Sequence, residues 1–236
     1  MSETNNILIR AENLEMIYQE GSIPVPALRG VSMQIRGGEF SAIVGPSGSG
    51  KTTLLNLISG LDRATRGHVS LRGVSLSDMS GRELSDFRRD HIGFIFQAYN
   101  LIPVLTVEEN VEYIMLLQGV SKSERHERVR KILRSVGLEN MIDRKPLQLS
   151  GGQQQRVAIA RAMVSQPDLI LADEPTANLD SKTGNALLEM MRELNNSTGM
   201  TFLFSTHDEK VMSKARRLLV MEDGKIIKDE HKKNQK

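Results

Sequence analysis

The sequence predicts an α/β protein with an antiparallel β layer at its start and a helical subdomain inserted in its middle. Three observations predict it. The apolar run 40–44 enters a glycine-rich loop and leaves it in the apolar stretch 54–58, which reads as strand, turn and helix. Between 106 and 137 two capping-box patterns are each followed by helical spacing, with no strand pattern between them. A strand pattern resumes at 169–172, so the helices are an insertion into one domain and not a separate domain.

Taken in order, Ile7 and Ile9, then Leu14, Met16 and Tyr18, alternate as strands do. Residues 19–26 hold Gly21, Pro24 and Pro26 and read as a loop excursion before a strand returns at 27–35. Gly37 and Gly38 turn the chain into the strand 39–44, and a helix runs from Lys51 to about Gly60. Val69 and Leu71 suggest a short strand, 81–89 a polar helix, and 92–96 a third apolar strand running into Gln97. In the insert, Thr106-Val107-Glu108-Glu109 and Ser121-Lys122-Ser123-Glu124 are the capping boxes. Beyond 169–172, a helix starts at Asp180 or Ser181 and reaches about Asn195. A strand at 201–205, a short helix at 209–215, and a hairpin of 218–221 with 225–227 around Asp223 and Gly224 complete the pattern. From Lys228 the tail is charged and expected to fray.

Composition sets limits on function. With 236 residues, 39% hydrophobic and 25% charged, the chain can bury a real core and is neither a disordered segment nor a membrane protein. A net charge of +2 gives no argument for nucleic acid as a partner. The absence of cysteine excludes disulfides and thiolate metal sites. Residues 1–6 are polar and lack the apolar core of a signal peptide. No apolar run approaches the roughly 20 residues of a spanning helix, so membrane contact is expected to go through a partner or the surface.

The chemistry is concentrated in three places. Gly45-Pro46-Ser47-Gly48-Ser49-Gly50-Lys51-Thr52 fits the phosphate-binding pattern G-x-x-x-x-G-K-[ST] in its strand-loop-helix context. Such a turn aims backbone N–H groups and a helix dipole at one point, Lys51 supplies charge for the outer phosphates, and Thr52 can ligate Mg²⁺; Thr53 extends the set. Asp173 and Glu174 end an apolar strand. Beside a phosphate loop they suit a water-linked Mg²⁺ and an attacking water, although an acidic pair alone also marks a solvated turn. Leu149-Ser150-Gly151-Gly152-Gln153 opens a helix, as a second anion cap or a plain N-cap.

Together these three motifs resemble the ATPase subunit of an ATP-binding cassette transporter, over residues 7–227. The resemblance implies a P-loop NTPase with a RecA-like mixed sheet core, the N-terminal antiparallel β layer and the inserted α-helical subdomain. Residues 1–236 then form one ATPase domain, with 1–97 and 166–230 as the core and about 98–165 as the helical subdomain carrying the signature. It implies ATP and Mg²⁺ as cofactors. By the same resemblance Glu174, His207 and Gln97 are catalytic, Thr52, Gln97 and Asp173 hold the metal, and Tyr18 stacks on adenine. Ser150, Gly151, Gly152 and Gln153 close over ATP held by a second copy in a head-to-tail homodimer, and Asp180, which is also a plausible helix cap, lies on the loop that crosses to that copy.

The long excursion 19–26 and the stretches 93–103 and 172–180 look like the branch that serves lipoprotein release and macrolide or peptide export, at the cytoplasmic face of the inner membrane through permease subunits. The same branch holds a cell-division ATPase that regulates a membrane partner. Soluble relatives in DNA repair or translation share the motifs but carry coiled-coil inserts or tandem cassettes, and this chain has one cassette and no heptads. Many relatives carry glycine where this chain has Ala177. The apolar segment 98–105 either docks the membrane subunits or packs under the insert. A fused arrangement, with ATPase and membrane parts on one polypeptide, is not expected here.

Overall fold

The computed structural model describes residues 6–21 and 23–232, so the expectations for residues 1–5 and 233–236 lie outside it. Strands β1 (Ile7–Glu20) and β2 (Ile23–Arg36) form a long hairpin, followed by β3 (Phe40–Val44) and α1 (Lys51–Ser59). Next come β4 (Arg66–Leu71), β5 (Val74–Ser75), α2 (Gly81–His91) and β6 (Ile92–Ile95). The insert holds α3 (Val107–Leu117), α4 (Lys122–Ser135) and α5 (Gly151–Met163). The chain closes with β7 (Leu169–Asp173), α6 (Ser181–Thr198), β8 (Thr201–Thr206), α7 (Glu209–Lys214), β9 (Arg217–Glu222) and β10 (Lys225–His231).

These strands build two sheets. One is antiparallel, in the order β2-β1-β4-β5; the other is mixed, in the order β10-β9-β3-β8-β7-β6, parallel except for β10. The α/β class with an antiparallel layer and a helical insert is therefore what the chain adopts.

Strand alternation decides where the cores sit. Phe40, Ala42 and Val44 of β3, with Ile170, Ala172, Phe202 and Phe204, face the side covered by the insert helices. Ile43, Leu169, Leu171 and Leu203 face α1 and the antiparallel layer. A parallel sheet covered on both faces needs continuous apolar strands, which is how β3, β7 and β8 read. Phe40 and Phe204 lie 4.7 Å apart between ring centroids, and burying each such ring contributes about 2 kcal/mol.

Local signals set the helix ends. Ser80, Thr106 and Ser150 each make a reciprocal capping box, with Glu83, Glu109 and Gln153. Ser121 makes only the forward half, accepting from Glu124 N, so one expected box is incomplete. Asp180 caps α6 through Lys182 N and Thr183 N, and Gly199 ends it with φ 72°. At α1, Gly60 does the same with φ 67°.

Four expectations change. The excursion at 19–26 is strand on both sides of the hairpin turn, with Gln19 opposite Pro24 and Ile17 opposite Pro26. Two prolines are tolerated because β2 is the edge of its sheet and need not donate outward. β4 starts three residues before Val69 and pairs with β5, a strand too short to give a periodic signal. Helix α6 runs past Asn195 to Thr198. The tail does not fray at Lys228, because Lys228, Asp229, Glu230 and His231 all pair with β9.

Arg217 fixes that last pairing. Its guanidinium donates to both carboxylate oxygens of Asp229 at 2.8 Å, to Glu39 Oε2 at 3.1 Å and to Gln34 O at 2.8 Å, joining the two sheets. Hydrogen bonding from Arg217 holds the Asp229 carboxyl below its ordinary value. Arg217→Met should destabilise the fold by about 2 kcal/mol, between the values for exposed and for buried pairs, measured by urea unfolding near neutral pH. A depressed carboxylate stabilises above its unfolded pKa of about 4 and stops doing so as pH falls through the folded value. The gap between wild type and variant should therefore narrow in acid.

Candidate active site

In the parallel sheet Val44 is in register with Thr206, Asp173 with Ser205, and Ile95 with Ala172. The loops leaving β3, β6, β7 and β8 thus start along one edge, and the crevice outside such carboxyl ends is where open α/β sheets bind ligands. A broad concavity lined by Arg72, Asp168 and Gly199 among others lies at the opposite ends of the strands and holds none of these groups.

The loop 45–50 wraps the start of α1. Gly50 has φ 98°, and a Cβ there would sit 2.6 Å from Ala27 O, so a side chain has neither the conformation nor the room. Gly50 gives α1 no side-chain cap and the first turn has no acid, leaving its N–H groups and positive dipole end facing the loop. Lys51, 8% exposed, bends back so that Nζ donates to Gly45 O and Pro46 O at 2.9 Å each. Pro46, Ser47 and Gly48 form the exposed rim, and buried Ser49 has an Oγ without a hydrogen-bond partner among the described residues. The result is an anion cradle of backbone donors with one ammonium laid across it.

Thr52 Oγ1 lies 3.4 Å from Asp173 Oδ2. The other oxygen, Asp173 Oδ1, is buried without a partner, as is Ser205 Oγ in the adjoining register position. An orphaned carboxylate oxygen beside a hydroxyl fits Mg²⁺, which keeps waters and phosphate oxygens as ligands and needs one or two protein groups. Consistently, the described residues contain no cluster of three or more His, Asp or Glu that could cage a metal unaided.

Glu174 occupies the next position with φ 44°, a conformation that costs about 1–2 kcal/mol for a side-chain-bearing residue. Surrounding bonds hold it there. Its N–H donates to Ser205 O at 2.9 Å, Oε2 accepts from Thr206 Oγ1 at 2.9 Å, and Oε1 accepts from His207 N at 3.2 Å and lies 2.6 Å from His207 Nδ1. The carboxylate is largely buried while His207 is exposed, so a firmly oriented carboxylate meets solvent through an imidazole.

The remaining expected residues surround this centre. Gln97 is exposed just beyond β6, and its carbonyl accepts from Asn178 Nδ2 at 2.9 Å. Tyr18 is 37% exposed and donates to Asp62 Oδ2 at 2.9 Å; burial, opposed in part by Thr53, raises the phenol above its ordinary value. Ser150 to Gln153 stand apart. Ser150 is exposed, a Cβ on Gly151 would meet Tyr99 Oη and one on Gly152 would meet Thr183, and among the described residues no hydrogen bond joins this segment to 45–53. Asp180 caps its own helix, and Thr183 beside it lowers its carboxyl from the ordinary value. Ala177 has an ordinary backbone and is absent from the positive-φ residues, so the departure from glycine costs no strain.

Sequence reasoning missed Thr206, Asp62 and Ser205. The polar run Ser205-Thr206-His207-Asp208 after an apolar strand was the available signal for two of them.

A glycine-rich loop at the start of α1, an unpartnered carboxylate oxygen beside Thr52 and a firmly held Glu174 carboxylate lie along one sheet edge, the arrangement of a P-loop nucleotide-binding fold. The chain belongs to the ABC transporter family, whose sequence profile matches residues 28–177. It is 47% identical, over 94% of its length, to the macrolide export ATP-binding/permease protein MacB of Hyphomonas neptunium, and spans 34% of that protein. It is 48% identical over 85% of its length to the ABC transporter ATP-binding protein YtrE of Bacillus subtilis, spanning 87% of that protein. The ATP-binding cassette MJ0796 of Methanocaldococcus jannaschii, in a dimeric post-hydrolysis state bound to ADP and Pi, matches with a TM-score of 0.88 and 42% identity, covering 96% of this chain and 100% of that chain. ATP binding and hydrolysis are the activity of this family, and the fold here is its cassette fold.

Thr206 offers a test of how Glu174 is oriented. Thr206→Val keeps the volume but removes the donor to Oε2, and should lower kcat about tenfold, the value of one lost orienting hydrogen bond, while the Kd for ATP is unchanged. Steady-state turnover beside equilibrium nucleotide binding checks it; an unchanged kcat contradicts the assignment.

Proposed function

We propose that this chain is the ATPase engine of a bacterial exporter of the lipoprotein-release or macrolide/peptide-export type, acting as a head-to-tail homodimer on permease subunits at the cytoplasmic face of the inner membrane. One observation carries the dimer: the rim of the phosphate cradle at 46–48 is exposed, while an exposed capped helix start at Ser150 has no hydrogen bond to it among the described residues. A second copy brings that helix start to the exposed rim, where the N–H groups of Gly151 and Gly152 meet the γ-phosphate. Hydrolysis removes the bridging group and loosens the pair, which is the two-state element a membrane partner uses.

In this reading residues 1–236 form one domain, 1–97 and 166–230 its core, and about 98–165 the helical subdomain. Residues 45–53 hold the triphosphate, Tyr18 stacks on adenine, Thr52, Gln97 and Asp173 serve Mg²⁺, and Asp180 reaches the partner copy. The metal, when bound, neutralises charge building on the phosphates. Glu174 takes a proton from the attacking water, and His207 holds that carboxylate in place and faces the γ-phosphate.

Membrane coupling draws support from three features. MacB relatives match 94% of the chain. Among the described residues no helix is long and apolar enough to cross a membrane, so force must pass to another segment or chain. An exposed groove lined by Leu61, Phe94, Phe96, Ile114 and Leu117, with Arg88 on its edge, suits an amphipathic element. Of the segment 98–105, Leu101 packs inward while Ile102 and Val104 stay exposed, so both packing and docking have residues available.

Lys51→Ala should abolish ATP binding, and Glu174→Gln should keep ATP affinity while accumulating an ATP-dependent dimer on size-exclusion chromatography. A Glu174→Gln protein that stays monomeric at saturating ATP rejects the head-to-tail reading. Leu117→Asp should leave soluble ATP turnover intact and reduce co-purification with the co-expressed permease at least about tenfold, as loss of a buried apolar anchor predicts. Undiminished co-purification rejects the groove as the contact.

A further inference from the structure

The turn after Gln97 is pinned to the signature helix at three places. Tyr99 and Asn100 both carry left-handed backbones, φ 60° and 49°, which side-chain-bearing residues seldom adopt in succession. Arg161, ten residues into α5 counting from Gly151, donates Nη2 to Tyr99 O at 2.9 Å and Nη1 to Asn100 O at 2.5 Å. Two adjacent carbonyls turned the same way suit the planar fork of a guanidinium. The ring of Tyr99 runs back along the same helix, so that a Cβ on Gly151 would stand 2.9 Å from its Oη. Upstream, a Cβ on Gly93 of β6 would stand 2.2 Å from Ala162 O, so strand and helix backbones touch. Burial also lowers the Arg161 guanidinium from its ordinary value, as expected of a group removed from water and facing only carbonyls.

The arrangement has no part in the chemistry described above. Among the described residues Arg161 makes no hydrogen bond to the phosphate loop or Glu174, yet it holds the turn after Gln97 to the far part of α5, while the Tyr99 ring of that same turn lies against the helix start at Gly151. Under the head-to-tail reading, on which this inference rests, those two features of one chain serve different ATP molecules. Ser150 meets the partner's nucleotide, and Gln97 faces the chain's own.

We propose that Arg161 is a positioning residue that locks the Gln97 turn to the signature helix, so that closure over ATP at one site sets Gln97 at the other. The two sites then cooperate through a rigid seam within each chain. Free energy couples reciprocally, so each site reports its occupancy to the other by the same route.

The test measures turnover against ATP concentration for wild type, Arg161→Met and Arg161→Lys, with melting temperature and ATP-dependent dimerisation in the Glu174→Gln background. Wild type should give a sigmoidal curve with a Hill coefficient approaching about 2, the number of sites. Arg161→Met keeps the stem and loses the fork, and its coefficient should fall to about 1, with melting temperature and dimerisation retained. Arg161→Lys, which restores charge with a single donor centre, should recover part of the sigmoidicity. A purely packing role would instead lower the melting temperature and leave the curve sigmoidal. An unchanged Hill coefficient in Arg161→Met, or in Arg161→Lys should the first variant not fold, overturns the proposal. Hyperbolic turnover in a wild type that dimerises overturns it as well and spares the dimer. Failure of Glu174→Gln to dimerise removes the dimer reading and this inference together.

Discussion

The register of four parallel strands underlies everything at the site. β3, β8, β7 and β6 stop almost level, and each is followed along that one edge by a different chemical group: backbone donors and Lys51, His207, the pair Asp173 and Glu174, and Gln97. None of these groups is near another in sequence. The sheet can hold them because it is dry on both faces, with aromatic rings of Phe40, Phe202 and Phe204 on one side and aliphatic Leu169, Leu171 and Leu203 on the other. A one-residue slip of β7 would exchange those faces and turn Asp173 into the core.

The strained backbone of Glu174 is a local cost that this register offsets. Its own N–H completes the ladder to Ser205 O, and its side chain returns to the neighbouring strand through Thr206 and His207. The Glu174 carboxylate is therefore oriented by the same pairing that stabilises the fold. Thr206 is itself fixed, accepting from Asp208 N at 2.9 Å, and Asp208 in turn accepts from Thr176 Oγ1 at 2.8 Å. Chains of this kind, satisfied at each link, give a side chain one position.

Much of this was legible beforehand, for reasons that differ by element. The phosphate loop, the capping box at Thr106, the helix cap at Ser150 and the apolar strands declare themselves because their physics is local: glycine where a Cβ has no room, a hydroxyl at a helix start, continuous apolar runs. What stayed hidden is non-local. The prolines at 24 and 26 look like a loop until β2 is known to be an edge strand, and the charged residues 228–231 look frayed until Arg217 is seen gripping Asp229. Thr206 and Arg161 escaped for the same reason, since their partners stand 32 and 62 residues away.

The reciprocal cap at Ser150 has a consequence for how nucleotide can be engaged. Ser150 Oγ already accepts from Gln153 N at 3.4 Å, and Gln153 Oε1 accepts in return from Ser150 N at 2.9 Å. The leading turn of α5 is consequently ordered before anything approaches it. Under the proposed head-to-tail pairing, an arriving anion would exchange one acceptor for another at a rigid lip, with almost no chain freedom left to surrender, so its grip could be released as cheaply as it was gained.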